Sequence, residues 1–143
     1  MDDLKLIGPE LALLVAAGLI VVTDALLPFA GKQAYSARRA ICVVLALAGV
    51  AISIGWSVGL ISADESGPAY DGMIVVDDYS LFFNFLFAGV AGMIVLGSVD
   101  FLERNRFLAE YLALVLTSAG AMMLMAAGTD LIMIFIALET QAI

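Results

Sequence analysis

The chain of 143 residues contains no histidine, a single cysteine, three prolines and only six basic residues. Each shortage excludes something. Without histidine there is no imidazole pair for haem, no ordinary zinc site and no histidine proton shuttle. One thiol, Cys42, can neither close an internal disulfide nor hold an iron–sulfur cluster by itself. No basic patch exists to neutralise phosphates, which argues against nucleic acid as a partner. Gly-rich phosphate loops, nucleophile elbows and metal-ligand spacings are also missing from the sequence.

What the chain has instead is apolar bulk. Hydrophobic residues make up 64% of it and mean hydropathy is +1.10. Ordinary soluble domains are roughly 45–50% apolar. A single small core cannot hide this much apolar surface, so the lipid bilayer must be the solvent. The formal charge of -8 is concentrated in short stretches between apolar runs.

Hydropathy predicts an all-α, polytopic transmembrane helix bundle forming one transmembrane domain over 1–143. Spans are expected at about 11–27, 40–61, 79–99 and 109–127, with a fifth at 131–143. The first four are each near the ~17–25 residues a helix needs to cross. The first is read as a retained span, because Met1-Asp2-Asp3-Leu4-Lys5 lacks a basic signal region; Pro28 and Gly31 close it. Gly128-Thr129-Asp130 reads as a tight turn, with Asp130 placed to cap the fifth helix. That helix reaches only thirteen residues by Ile143, too few to cross. The expectation is a truncated fifth span in a piece of a longer protein; the alternative is a short re-entrant tail.

Basic residues in short loops set the predicted orientation. Loop 31–39 carries Lys32, Arg38 and Arg39, and loop 100–107 carries Arg104 and Arg106. The segment between spans two and three has Asp64, Glu65, Asp71, Asp77 and Asp78 but no basic residue. Both basic loops are therefore expected in the cytoplasm and the N-terminus outside. Met73-Ile74-Val75-Val76 could form a small extended element or hairpin over the outer face, or remain a plain solvated loop.

Glu139 is the leading candidate for chemistry. Nine residues into an apolar run, at roughly 1.5 Å per residue, it lies ~13 Å from Asp130 and near the middle of a ~30 Å hydrocarbon layer. A carboxylate at that depth usually pairs with a cation or carries protons, and the sequence offers no Lys or Arg at comparable depth. The bland alternative is an exposed helix-end residue, or one satisfied by Thr140 and Gln141. Asp24 and Glu110, near the cytoplasmic ends of spans one and four, could belong to a proton route or simply sit at headgroup level. Glu10, after Pro9, reads as a residue of a first helical turn.

The remaining features read as packing. Gly55 and Gly59 form a GxxxG pair, and Gly89, Gly92, Gly97, Gly120 and Gly128 offer further small surfaces for close helix approach. Met122, Met123, Met125 and Met133 suit adaptable contacts, with a methionine-lined metal site a remote alternative. Thr117 and Ser118 can bond back to their own helix or bridge to a neighbour or a water. Tyr79, Phe82, Phe83 and Phe85 look like an interfacial anchor.

A family resemblance extends this reading. Ala109-Glu110-Tyr111-Leu112-Ala113-Leu114, then Ala119 to Ala127 with its Gly-Met-rich core, then Asp130-Leu131 and Leu138-Glu139, resemble a block in the proton-translocating, antiporter-like membrane subunits of respiratory complex I. Asp77 to Phe83 is similar to the family's opening of span three. Ile7-Gly8-Pro9-Glu10-Leu11 resembles the start typical of subunit N of NADH-quinone oxidoreductases. The resemblance implies a subunit of about fourteen helices containing inverted five-helix repeats, of which this chain is the N-terminal part. It implies that Glu139 pairs with a lysine on the seventh span, and that midspan lysines belong to a missing C-terminal part.

The function implied is redox-coupled proton translocation in the plasma (inner) membrane of a prokaryote, beside other membrane subunits. No cofactor is expected on this chain: NADH, FMN, iron–sulfur clusters and quinone would belong to partner subunits. Two alternatives are a subunit of a multisubunit cation/proton antiporter and a non-catalytic membrane scaffold.

Overall fold

The computed structural model describes residues 3–26, 32–63, 66–101 and 107–142. Pro28 and Gly31, the acids Asp64 and Glu65, the basic pair Arg104 and Arg106, and Ile143 lie outside the described residues. In chain order come α1 (Asp3–Leu6), α2 (Gly8–Leu26), α3 (Lys32–Ser62), β1 (Gly67–Ala69), β2 (Ile74–Val76), α4 (Asp78–Phe101), α5 (Leu108–Ala127) and α6 (Leu131–Gln141).

Four of these helices are long and apolar enough to cross a membrane: Gly8–Leu26, Ser36–Ser62, Asp78–Val99 and Leu108–Ala127. Their side chains are apolar on nearly every face, the pattern of helices solvated by lipid. Helical hydrogen bonding within each segment satisfies backbone groups that lipid cannot. The helix ends have identifiable causes. Pro9 sits in the first turn of α2, where its missing N–H is not needed. Before α4, Ser80 N–H donates to Asp77 Oδ1 at 2.8 Å and Asp77 N–H donates to Ser80 Oγ at 3.0 Å, a reciprocal cap. Asp130 caps α6 as its sequence position predicts, its side chain accepting from Ile132 N–H at 2.9 Å.

The bundle is built around α5, which packs on α2, α4 and α6; α3 packs on α2 and α4. Leu13, Ile20, Val95, Leu112, Leu116 and Met123 fill the core between many alanines, among them Ala16, Ala46, Ala88, Ala91 and Ala119. Small residues are what bring helices close in lipid. The glycines that serve this purpose are not the GxxxG pair. Gly49 lies against Ala16, Gly8 beneath the Trp56 indole, and Gly120 against Leu14 and the Glu10 carbonyl. Gly55 and Gly59 are exposed, with nothing within 4 Å of where a Cβ would point.

Two further features go beyond hydropathy. Helix α3 begins at Lys32, ahead of the apolar span expected from about residue 40, so Arg38 and Arg39 belong to a helix rather than to a loop. There Arg38 pairs with Asp24, and Arg39 Nη2 donates to the Val99 carbonyl. Both contacts reach other helices, and hydropathy does not register them. The second feature is that 67–76 forms an antiparallel hairpin, with Gly67 opposite Val76 and Ala69 opposite Ile74. Its turn carries left-handed backbone at Tyr70, Asp71 and Gly72. Ala69 and Ile74 are buried with Ile7 and Ala127, so this apolar face closes one end of the bundle. Thr129 N–H donates to the Met73 carbonyl at 3.0 Å, and the Thr129 hydroxyl to the Gly72 carbonyl. The hairpin thereby holds the turn between α5 and α6.

Candidate functional site

Helix α6 carries Glu139 on an exposed face. Its single buried residue is Ala137, while Leu131, Ile132, Phe135, Ile136 and Leu138 all face outward. Neither suggested neighbour engages the carboxylate. Thr140 Oγ1 donates to the Ile136 carbonyl at 2.8 Å, and Gln141 lines a cavity of about 370 Å³ with Tyr111, Ser118 and Met122. Beside that cavity, Ser98 Oγ donates to the Tyr111 hydroxyl at 3.3 Å. Thr117 bonds back to the Ala113 carbonyl at 2.8 Å, one of the two arrangements open to it.

Asp24 and Glu110 occupy the end of the bundle opposite the hairpin, near the C-terminus of α2 and the N-terminus of α5 respectively. Asp24 is held by Arg38, whose Nε donates to Asp24 Oδ1 at 2.7 Å while Nη2 approaches the same oxygen. The two side chains are only 10% and 21% exposed for Arg38 and Asp24, so this pair staples α2 to α3. Glu110 is exposed in the first turn of α5, where the helix dipole favours an acid. The structure does not gather Asp24, Glu110 and Glu139 into one cluster. Among the described residues no three of His, Cys, Asp and Glu could share a metal ion.

The acid that does sit in the interior is Glu10. It is 1% exposed, and Asn84 of α4 is 2% exposed. Asn84 Nδ2 donates to Glu10 Oε1 at 3.1 Å. Glu10 Oε2 and Asn84 Oδ1 are left buried without hydrogen-bond partners, as is Ser53 Oγ. Reading Glu10 as a first-turn residue gave its place on the helix but missed its burial. The available signal was Asn84 itself, an amide inside the run Phe82-Phe83-Asn84-Phe85. The aromatics around it form a ladder, with Tyr79–Phe83 and Phe83–Phe87 centroids 4.7 and 5.5 Å apart.

Comparison with known proteins gives these positions a setting. No family model matches the chain, and no solved structure does. Curated sequences do. NADH-quinone oxidoreductase subunit N of Dehalococcoides mccartyi is 34% identical over 139 residues, covering 95% of this chain and 26% of that protein. Subunit N 2 of Koribacter versatilis is 34% identical over 137 residues, covering 94% of this chain and 27% of the relative. Subunit N 1 of Solibacter usitatus is 36% identical over 136 residues, covering 94% and 26% respectively. The chain spans about a quarter of the length of these relatives. Similar across nearly all of its residues, and folded as an apolar helical bundle, this chain belongs to the family of NADH-quinone oxidoreductase N subunits.

Proposed function

We propose that the chain is part of a membrane subunit of a proton-translocating NADH-quinone oxidoreductase, and that Glu139 is its proton-handling group. The similarity to N subunits over 94–95% of the chain carries this reading. Glu139 supports it by chemistry: an acid on an apolar helix face is best accommodated by a cation approaching from another helix. A lysine supplied outside these residues pairs with the carboxylate in one state. Withdrawal of that lysine leaves an uncompensated charge in lipid, and the carboxyl then takes up a proton. Alternation between the two states moves protons along the bundle.

Glu110 fits the entry of such a route, because α6 runs from the hairpin toward the end where α5 begins. Asp24 joins the route only when its pairing with Arg38 opens. In this reading the hairpin end faces outside with the N-terminus, and segments 31–39 and 100–107 face the cytoplasm of a prokaryotic cell. NADH, FMN, iron–sulfur clusters and quinone are assigned to partner subunits, and further membrane subunits flank α6.

The test is Glu139→Gln in the full-length subunit within its complex. The expected result is assembled complex with greatly reduced proton pumping in membrane vesicles. A normal ratio of protons to electrons in that variant would overturn the assignment.

A further inference from the structure

Glu10 and Asn84 present a hydrogen-bond account that does not close. The amide of Asn84 donates to one carboxyl oxygen of Glu10. Each of the two unpartnered atoms, Glu10 Oε2 and Asn84 Oδ1, is bonded to the same carbon as one of the two engaged atoms. Two buried acceptors lack a donor among the described residues, and a buried polar atom without one costs about 1–3 kcal/mol. A carboxylic acid and an amide placed face to face make two hydrogen bonds. The amide N–H serves one carboxyl oxygen, and the acid O–H serves the amide oxygen. One hydrogen on Oε2 therefore supplies both missing partners and removes a buried charge in the same step.

An apolar cavity lies beside the pair. Glu10 lines a cavity of about 270 Å³ together with Leu11, Tyr70, Met73, Ile74 and Met133. Its roof is the hairpin turn, where Tyr70 and Met73 are themselves exposed. Among the described residues lining it, Tyr70 is the other titratable group. The lining from α5 and α6 is the apolar Leu124 and Met133, and α4 contributes Asn84 to the pair.

We propose that Glu10 and Asn84 form a neutral acid–amide pair, a second proton-holding site of the bundle whose hydrogen exchanges with solution through the cavity beneath the hairpin. The site stands on its own geometry and does not depend on the role given to Glu139.

Infrared spectroscopy of the full-length subunit in its assembled complex tests this. Wild type should show a carboxylic-acid carbonyl band that Glu10→Gln abolishes and that heavy water displaces. Glu10→Gln should retain near-normal thermal stability, since a glutamine–asparagine pair makes the same two hydrogen bonds. Asn84→Leu keeps the acid but removes its partner, and should shift the band to the frequency of an unbonded acid. If Glu10→Gln fails to assemble, the Asn84→Leu shift decides the matter. A Glu10→Gln spectrum superimposable on wild type in the acid region overturns the inference. So does an absent Asn84→Leu shift, or a band unmoved by heavy water after the hairpin amides have exchanged.

Discussion

Glu10 and Glu139 are both single acids on apolar helices, yet their surroundings are opposite. Glu10 is enclosed by α2, α4 and the hairpin, and its partner Asn84 comes from this chain. Glu139 stands on the outward face of α6, whose one buried residue is Ala137. The contrast separates two ways of tolerating an acid in a membrane. One closes its hydrogen bonds locally and keeps them; the other presents a carboxylate to whatever lies beside the helix. A fixed local partner suits a stable neutral pair, whereas an external partner suits a charge that comes and goes.

Substitutions break or sharpen that contrast, beginning with the largest effect. Glu139→Gln is expected to abolish most proton translocation in the complete complex while leaving its assembly and melting temperature unchanged; pumping assays on vesicles and a thermal melt check both halves. Glu10→Ala should do the reverse to stability. It opens a cavity and strands Asn84, a combined loss of about 2–4 kcal/mol, seen as a lower midpoint in a denaturant or thermal unfolding series.

The Arg38–Asp24 pair is intermediate between the two acids, being partly enclosed and locally partnered. Arg38→Ala leaves Asp24 without its cation and should cost about 1–3 kcal/mol. The double variant with Asp24→Ala should recover part of that loss, and recovery in the same unfolding assay identifies the pair as the cause. Smallest is Asp130→Ala, which removes the cap of α6 for about 1 kcal/mol. It should speed hydrogen exchange in the first turn of α6 and leave α2 and α5 untouched.

How far these positions could be read in advance depended on the kind of signal. Long apolar runs announced four crossing helices, because in lipid the backbone has few other solutions. Asp130 announced its own cap, since a cap acts through residues two or three places along. The extension of α3 back to Lys32 was not legible, because its partners, Asp24 and the Val99 carbonyl, lie on other helices. The hairpin was an open alternative for a similar reason: a short β-prone stretch becomes a strand only when something covers it, here Ile7 and the start of the α5–α6 turn. Gly55 and Gly59 illustrate the limit of a motif. Their spacing permits close approach, but Gly49 and Gly120 are where neighbouring helices pass in this chain.

Composition and hydropathy alone determined that the protein is a lipid-solvated helical bundle, and local motifs determined its family and where α6 begins. Both rest on short-range physics: transfer of apolar residues from water, and hydrogen bonds between residues close in sequence. Only the tertiary structure decided that Glu10 is enclosed with Asn84, seventy-four positions away, while Glu139 faces outward. Burial of a polar atom depends on which helices meet around it, and no window of sequence contains that information.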